Sequence, residues 1–101
     1  MMSSKKLRRI PVVFNFEGTV AQSQRKALVP EHNTVAMIMQ SIRARWLTDV
    51  KSHEALFILF RVDDDYMLMP ISSTIREISN QIGNKENEPV FATVRSEATF
   101  G

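Results

Sequence analysis

Residues 25–46 read RKALVPEHNTVAMIMQSIRARW, a short β-like run, a proline break, a helix start and an amphipathic helix in one stretch. Val35, Ile38, Met39, Ile42 and Trp46 recur at steps of three, one, three and four. At roughly 100° per residue these fall in one stripe, with Gln40 and Ala44 opposite, so the helix lies on something apolar. Asn33 or Thr34 is placed to cap the free N–H groups of the first turn, and Pro30 closes the preceding strand. Burying each of the five stripe residues is worth about 1.5–3 kcal/mol, a large share of the core of a small domain. The partner surface must come from the runs on either side.

The chain has 101 residues and 44% hydrophobic content, enough for one domain that buries roughly two thirds of its unfolded surface. It has no cysteine, so any thiol chemistry must be supplied by a partner. Thirteen Lys plus Arg against 11 Asp plus Glu give a net charge of +2, no argument for nucleic acid. No apolar run approaches the ~20 residues of a membrane span, and a soluble, cytoplasmic protein is expected.

Outward from the helix, residues 1–9 form a basic arm holding Lys5, Lys6, Arg8 and Arg9, suited to a weak attraction to anionic membrane. Ile10 to Phe16 predicts a strand, and the short connection from Glu17 to Gln24 predicts an antiparallel hairpin with Lys26 to Val29. Ala55 to Phe60, ALFILF, predicts a strand buried on both faces. Asp63 to Asp65 reads as a solvated turn, without the alternating ligands of a calcium loop. Met67 to Met69 offers at most a brief strand. Ser72 or Ser73 is placed to cap a second, short helix carrying Ile75, Ile78 and Ile82 and ending at Gly83. Val90 to Val94 predicts the last strand, and the domain is expected to span 10–95 with a free tail at 96–101.

This order predicts an α+β domain, a four-stranded mixed sheet with one main helix across it, which is the β-grasp or ubiquitin-like architecture. A ferredoxin-like RNA-binding sheet is the runner-up, but it wants one strand before its first helix and aromatic motifs that are absent here. Catalysis is poorly supported. His32 and His53 stand in no recognisable triad or metal spacing, and three glycines build no phosphate loop. No cofactor or metal is expected, and a binding or carrier role remains.

Several strings together resemble the autophagy ubiquitin-like modifiers of the GABARAP and microtubule-associated light chain three type: Arg9-Ile10-Pro11-Val12, Lys26 with Leu28-Val29-Pro30-Glu31-His32, Ala55 to Leu59, and Thr99-Phe100-Gly101. The resemblance implies a modifier joined through Gly101 to phosphatidylethanolamine by activating and conjugating enzymes of the ubiquitin type. A cysteine protease would release it, Phe100 would be gripped by those enzymes, and the lipidated form would sit on the autophagosomal membrane. It also implies a groove for acidic-hydrophobic receptor peptides. Pro11, Val13, Lys26, Leu28 and Val90 would line one pocket; Val29, Pro30, Ile38 and Ser41, with Arg45 at the rim, would line the other. Three departures stand out. Nine residues stand before the first strand where the family carries about two dozen folded as two helices, so the wall they give one pocket is expected to be absent or reduced to one turn; Ala27 stands where an aromatic is usual, and Ser41 where an aliphatic is common. A non-conjugated peptide-binding scaffold, or a protein-conjugated modifier of the autophagy "twelve" branch, is the alternative.

Overall fold

The structure, a computed structural model, describes residues 8–18, 24–46 and 55–97. Within them the chain runs β1 (Arg9–Gly18), β2 (Gln24–Pro30), α1 (Val35–Arg45), β3 (Ala55–Val62), β4 (Asp65–Leu68), α2 (Ile75–Ile82) and β5 (Val90–Glu97). The strands form one mixed sheet in the order β2-β1-β5-β3-β4. Its middle is the parallel pair of first and last strands, Val12 beside Val90 through Gly18 beside Ser96. Antiparallel pairs flank it: β1 with β2, β5 with β3 and β3 with β4.

The expected α+β architecture is present, with one strand more than expected. The sheet has five strands because Asp63 turns the chain at φ 57, in the left-handed region that aspartate tolerates better than most residues. Asp65 is thereby set opposite Val62 and a hairpin closes. All four residues of β4 are exposed, which is why no burial pattern announced the strand.

Period-two alternation turns one face of the sheet into the core. Ile10, Val12, Phe14 and Phe16 of β1, Leu56, Ile58 and Phe60 of β3, and Val90, Ala92 and Val94 of β5 pack against Val35, Ile38 and Ile42 of α1 and Ile75 and Ile78 of α2. The run ALFILF is therefore not buried on both faces. Phe57 and Leu59 are only half-buried, on the face away from the helices. Trp46, expected in the buried stripe, caps the C-terminal end of α1 and is half-buried. Its indole meets the edges of Phe14 at 5.6 Å and Phe16 at 5.8 Å.

Thr34 caps α1 by accepting a hydrogen bond from the Met37 N–H. For α2 the expected cap at Ser72 or Ser73 is corrected to Thr74, because only Thr74 has Glu77 three residues on to close a reciprocal capping box. Gly83 ends α2 at φ 84, a conformation costly for residues with a Cβ. Strand β5 continues to Glu97, so residues 96 and 97 belong to the sheet and not, as expected from sequence, to a tail. Residues 1–7 of the arm, His53, Phe100 and Gly101 lie outside the described residues.

Candidate functional site

Strand β2 is an edge of the sheet. It pairs with β1 through Arg9↔Pro30, Pro11↔Leu28 and Val13↔Lys26, and among the described residues no strand pairs with its other side. Its backbone N–H and C=O groups on that side are free to bind an extended chain. Pro30 ends the strand, and the Asn33 N–H donates to the Pro30 carbonyl at 2.9 Å, a tight turn that swings the chain straight into α1. Helix and strand diverge from this turn, leaving a hollow of about 230 Å³ between them.

The hollow is lined by Val29, Pro30, Ile38, Ser41 and Arg45, together with Arg9, Phe14, Ala27, Leu28, Asn33, Ile42 and Trp46. All five residues expected in the second pocket therefore come together. Val29 and Ile38 are core residues too, 7% and 3% exposed, and form the floor. Ser41 and Arg45, one helical turn apart on the exposed part of α1, form the rim. Ala27 contributes only a methyl group on its side. The charged residues of the lining are Arg9 and Arg45 and no carboxylate, so the rim favours an anionic ligand.

The residues expected to form the first pocket are divided. Pro11 with Leu28 and Val13 with Lys26 are cross-strand pairs on the outer face, away from the helices. There they make an open ledge, with Leu28 62% exposed and Val13 buried beneath it. Val90 lies on the other face, 1% exposed in the core beside Val12, because alternation along β5 puts Phe91 outward in its place. Val13 pairs with Phe91, so the aromatic neighbour of the ledge is Phe91, 38% exposed.

Sequence reasoning missed Arg9, Asn33 and Phe91. The hairpin register would have found Arg9, since it stands opposite Pro30. Asn33, a cap candidate in sequence, lines the hollow.

The exposed His32 Nε2 lies 3.9 Å from the carboxylate of the half-buried Glu31, and Glu31 also meets Arg76 Nε at 3.8 Å. Among the described residues no group of three His, Asp or Glu side chains could hold a metal ion, and no helix is long and apolar enough to cross a membrane.

No family model matches the chain, and no curated protein matches it. The site is read from its own residues.

Proposed function

We propose that this protein is a β-grasp modifier of the autophagy ubiquitin-like type, which binds short acidic-hydrophobic receptor peptides and is joined through Gly101 to phosphatidylethanolamine. The single observation that carries the binding half is the hollow between a free sheet edge and α1, apolar at its floor and rimmed by Arg9 and Arg45. An extended peptide adds to β2 through main-chain bonds, its aliphatic anchor enters the hollow, and its aromatic anchor rests on the ledge of Leu28, Pro11 and Val13 beside Lys26. Acidic residues of the peptide meet Arg9, Arg45 and Lys26.

The conjugation half rests on the Thr99-Phe100-Gly101 string. Glycine suits it because a residue without a side chain passes a narrow channel and leaves its carbonyl open to attack. With no cysteine in the chain, the protein acts as the carried group while thiols of activating and conjugating enzymes, and of a processing protease, do the transfer. In this role it is not an enzyme, needs no cofactor, and works in the cytoplasm and on autophagosomal membrane.

Two measurements test the two halves. Titrating labelled protein with an acidic peptide bearing aromatic and aliphatic anchors three residues apart is expected to shift the amides of residues 26–30 and 38–45. Shifts confined elsewhere would remove the groove. Incubation with activating and conjugating enzymes, ATP and phosphatidylethanolamine vesicles is expected to yield a lipid adduct from the wild type and none after deletion of Gly101. An adduct that persists without Gly101 contradicts the mechanism.

A further inference from the structure

The sheet has two edges, β2 and β4, and they differ in charge. Residues 24–30 carry Arg25 and Lys26 and no acid. Asp63 and Asp64 at the turn and Asp65 at the start of β4 make the other edge acidic, offset among the described residues by an exposed Arg61 contact to Asp64 at 3.9 Å. Strand β4 is also apolar for an edge, with Tyr66, Met67 and Leu68 all exposed. An edge of this kind invites another strand.

Which strand is decided by charge and direction. A second β4 would set aspartates against aspartates, and a second β2 would set Arg25 and Lys26 against their own copies. Direction follows from the pairings: β1 is antiparallel to β2 and parallel to β5, β5 is antiparallel to β3, and β3 to β4. Strands β2 and β4 therefore run in opposite senses. A copy shifted along the sheet without being turned over presents its β4 antiparallel to β2, with the helices of both copies on the same side.

We propose that the occupant of the β4 edge is the β2 edge of a second copy of this chain, giving a weak head-to-tail association that extends the sheet. The register that sets Gln24 opposite Leu68 also sets Lys26 opposite Tyr66 and uses all four residues of β4. Side-chain alternation is preserved in it, Arg25 and Ala27 sharing the helix side with Asp65 and Met67. Arg25 is then diagonal to Asp65, and Lys26 is diagonal to Asp64 while lying beside the Tyr66 ring, both within reach of long side chains. The interface is heterologous, so it propagates rather than closes. A ladder of four residues buries far less than the roughly 1,200–2,000 Å² of a stable interface, so association is concentration-dependent and weakened by salt. The proposal rests on the reading that β2 accepts a strand, and it makes the second copy and a receptor peptide competitors for one edge.

Sedimentation velocity over a concentration series at low salt tests it. The average mass of the wild type is expected to rise with concentration and to fall again on adding salt. The Arg25→Glu/Lys26→Glu and Asp64→Lys/Asp65→Lys variants, changed only at exposed positions and checked for fold by amide spectra, are each expected to associate at least about tenfold more weakly. An equimolar mixture of the two, or one chain carrying all four changes, is expected to restore association. A wild type that stays monomeric throughout, variants that associate as well as the wild type, or a mixture that restores nothing overturns the proposal. An acidic-hydrophobic peptide separates the two readings. A wild type that binds it at residues 26–30 yet never self-associates defeats only the second copy, whereas self-association indifferent to the peptide defeats the receptor groove.

Discussion

At the scale of single residues, two side chains carry measurable consequences. Trp46 packs edge-on against Phe14 and Phe16 but is only half-buried, so Trp46→Ala is expected to cost about 2–3 kcal/mol in urea unfolding, below the ~3–5 of a fully enclosed ring. A loss under ~1 kcal/mol would mean that the indole does not hold α1 to the sheet. Glu77 accepts hydrogen bonds from the Thr74 backbone N–H at 2.9 Å and from the Thr74 hydroxyl at 3.2 Å. These bonds, the backbone one first, hold its carboxyl below the usual carboxylate range. A pKa lowered by folding means stability that is complete above the unfolded value and lost as pH falls through the folded one. The urea-midpoint advantage of wild type over Glu77→Gln is therefore expected to shrink on acidification, and a gap constant from neutral to acid pH would contradict the box. Single residues were legible in sequence where one neighbour decides their state, as with Gly83, while the cap of α1 was narrowed only to Asn33 or Thr34. Val90 was misplaced because its face depends on where β5 begins its alternation, and Trp46 because the stripe fixes a direction but not a depth.

At the scale of elements, the two helix starts complete each other. The Val35 and Ala36 N–H groups donate to the carbonyls of Ser73 and Ile71, and the Ile75 and Arg76 N–H groups donate to those of Asn33 and Glu31, all at 2.9–3.1 Å. Thr34 and Thr74 supply the next bond in each helix and form a bridge between the two turns. Donors that helices normally leave to solvent are thus used across the molecule. Either cap lost alone, Thr34→Ala or Thr74→Ala, is expected to cost about 1 kcal/mol. A double-mutant cycle is expected to show coupling above about 0.5 kcal/mol, and strict additivity would mean that the turns are independent. The positions of most strands and of both helices along the chain were legible here because the periods of 3.6 and 2 are local properties. The fifth strand was legible only as a brief run at Met67 to Met69, where β4 is Asp65–Leu68, since an exposed edge strand needs no pattern and its three apolar residues follow a run of aspartates. The mutual capping was invisible for another reason: its bonds join backbone groups about forty residues apart and leave no mark on side-chain choice.

At the scale of the whole molecule, the five residues that the resemblance assigns to the second pocket line one hollow because they lie on one continuous strand-turn-helix stretch. The first was only half legible, since it spans strands whose faces are set by a register that one sequence does not print. The parallel β1 and β5 also place the entry to β1 and the exit from β5 at opposite ends of the sheet. By the register, Arg9 lies three residues before the Val12 and Val90 rung and Glu97 one residue past the Gly18 and Ser96 rung, which at ~3.3 Å per residue puts these points on the order of 30 Å apart. If Gly101 is held at a bilayer, a basic arm leaving from Arg9 starts at the far pole. Deleting residues 1–7, which removes Lys5 and Lys6, is therefore expected to leave vesicle recruitment of the lipid-linked form at low salt within about twofold, where two membrane-seated cations at ~1 kcal/mol each would give a larger loss. The same pair of strands determines how the domain responds to force. Tension applied between residues 9 and 97 runs along two adjacent parallel strands, so the rungs from Val12 with Val90 to Gly18 with Ser96 are loaded together in shear. Tension between residues 9 and 30, which face each other at the end of one hairpin, instead opens rungs one at a time. Single-molecule pulling is expected to need distinctly more force in the first geometry. A protein tethered at one end and drawn on at the other would yield late and all at once, a mechanical clasp at the centre of the sheet.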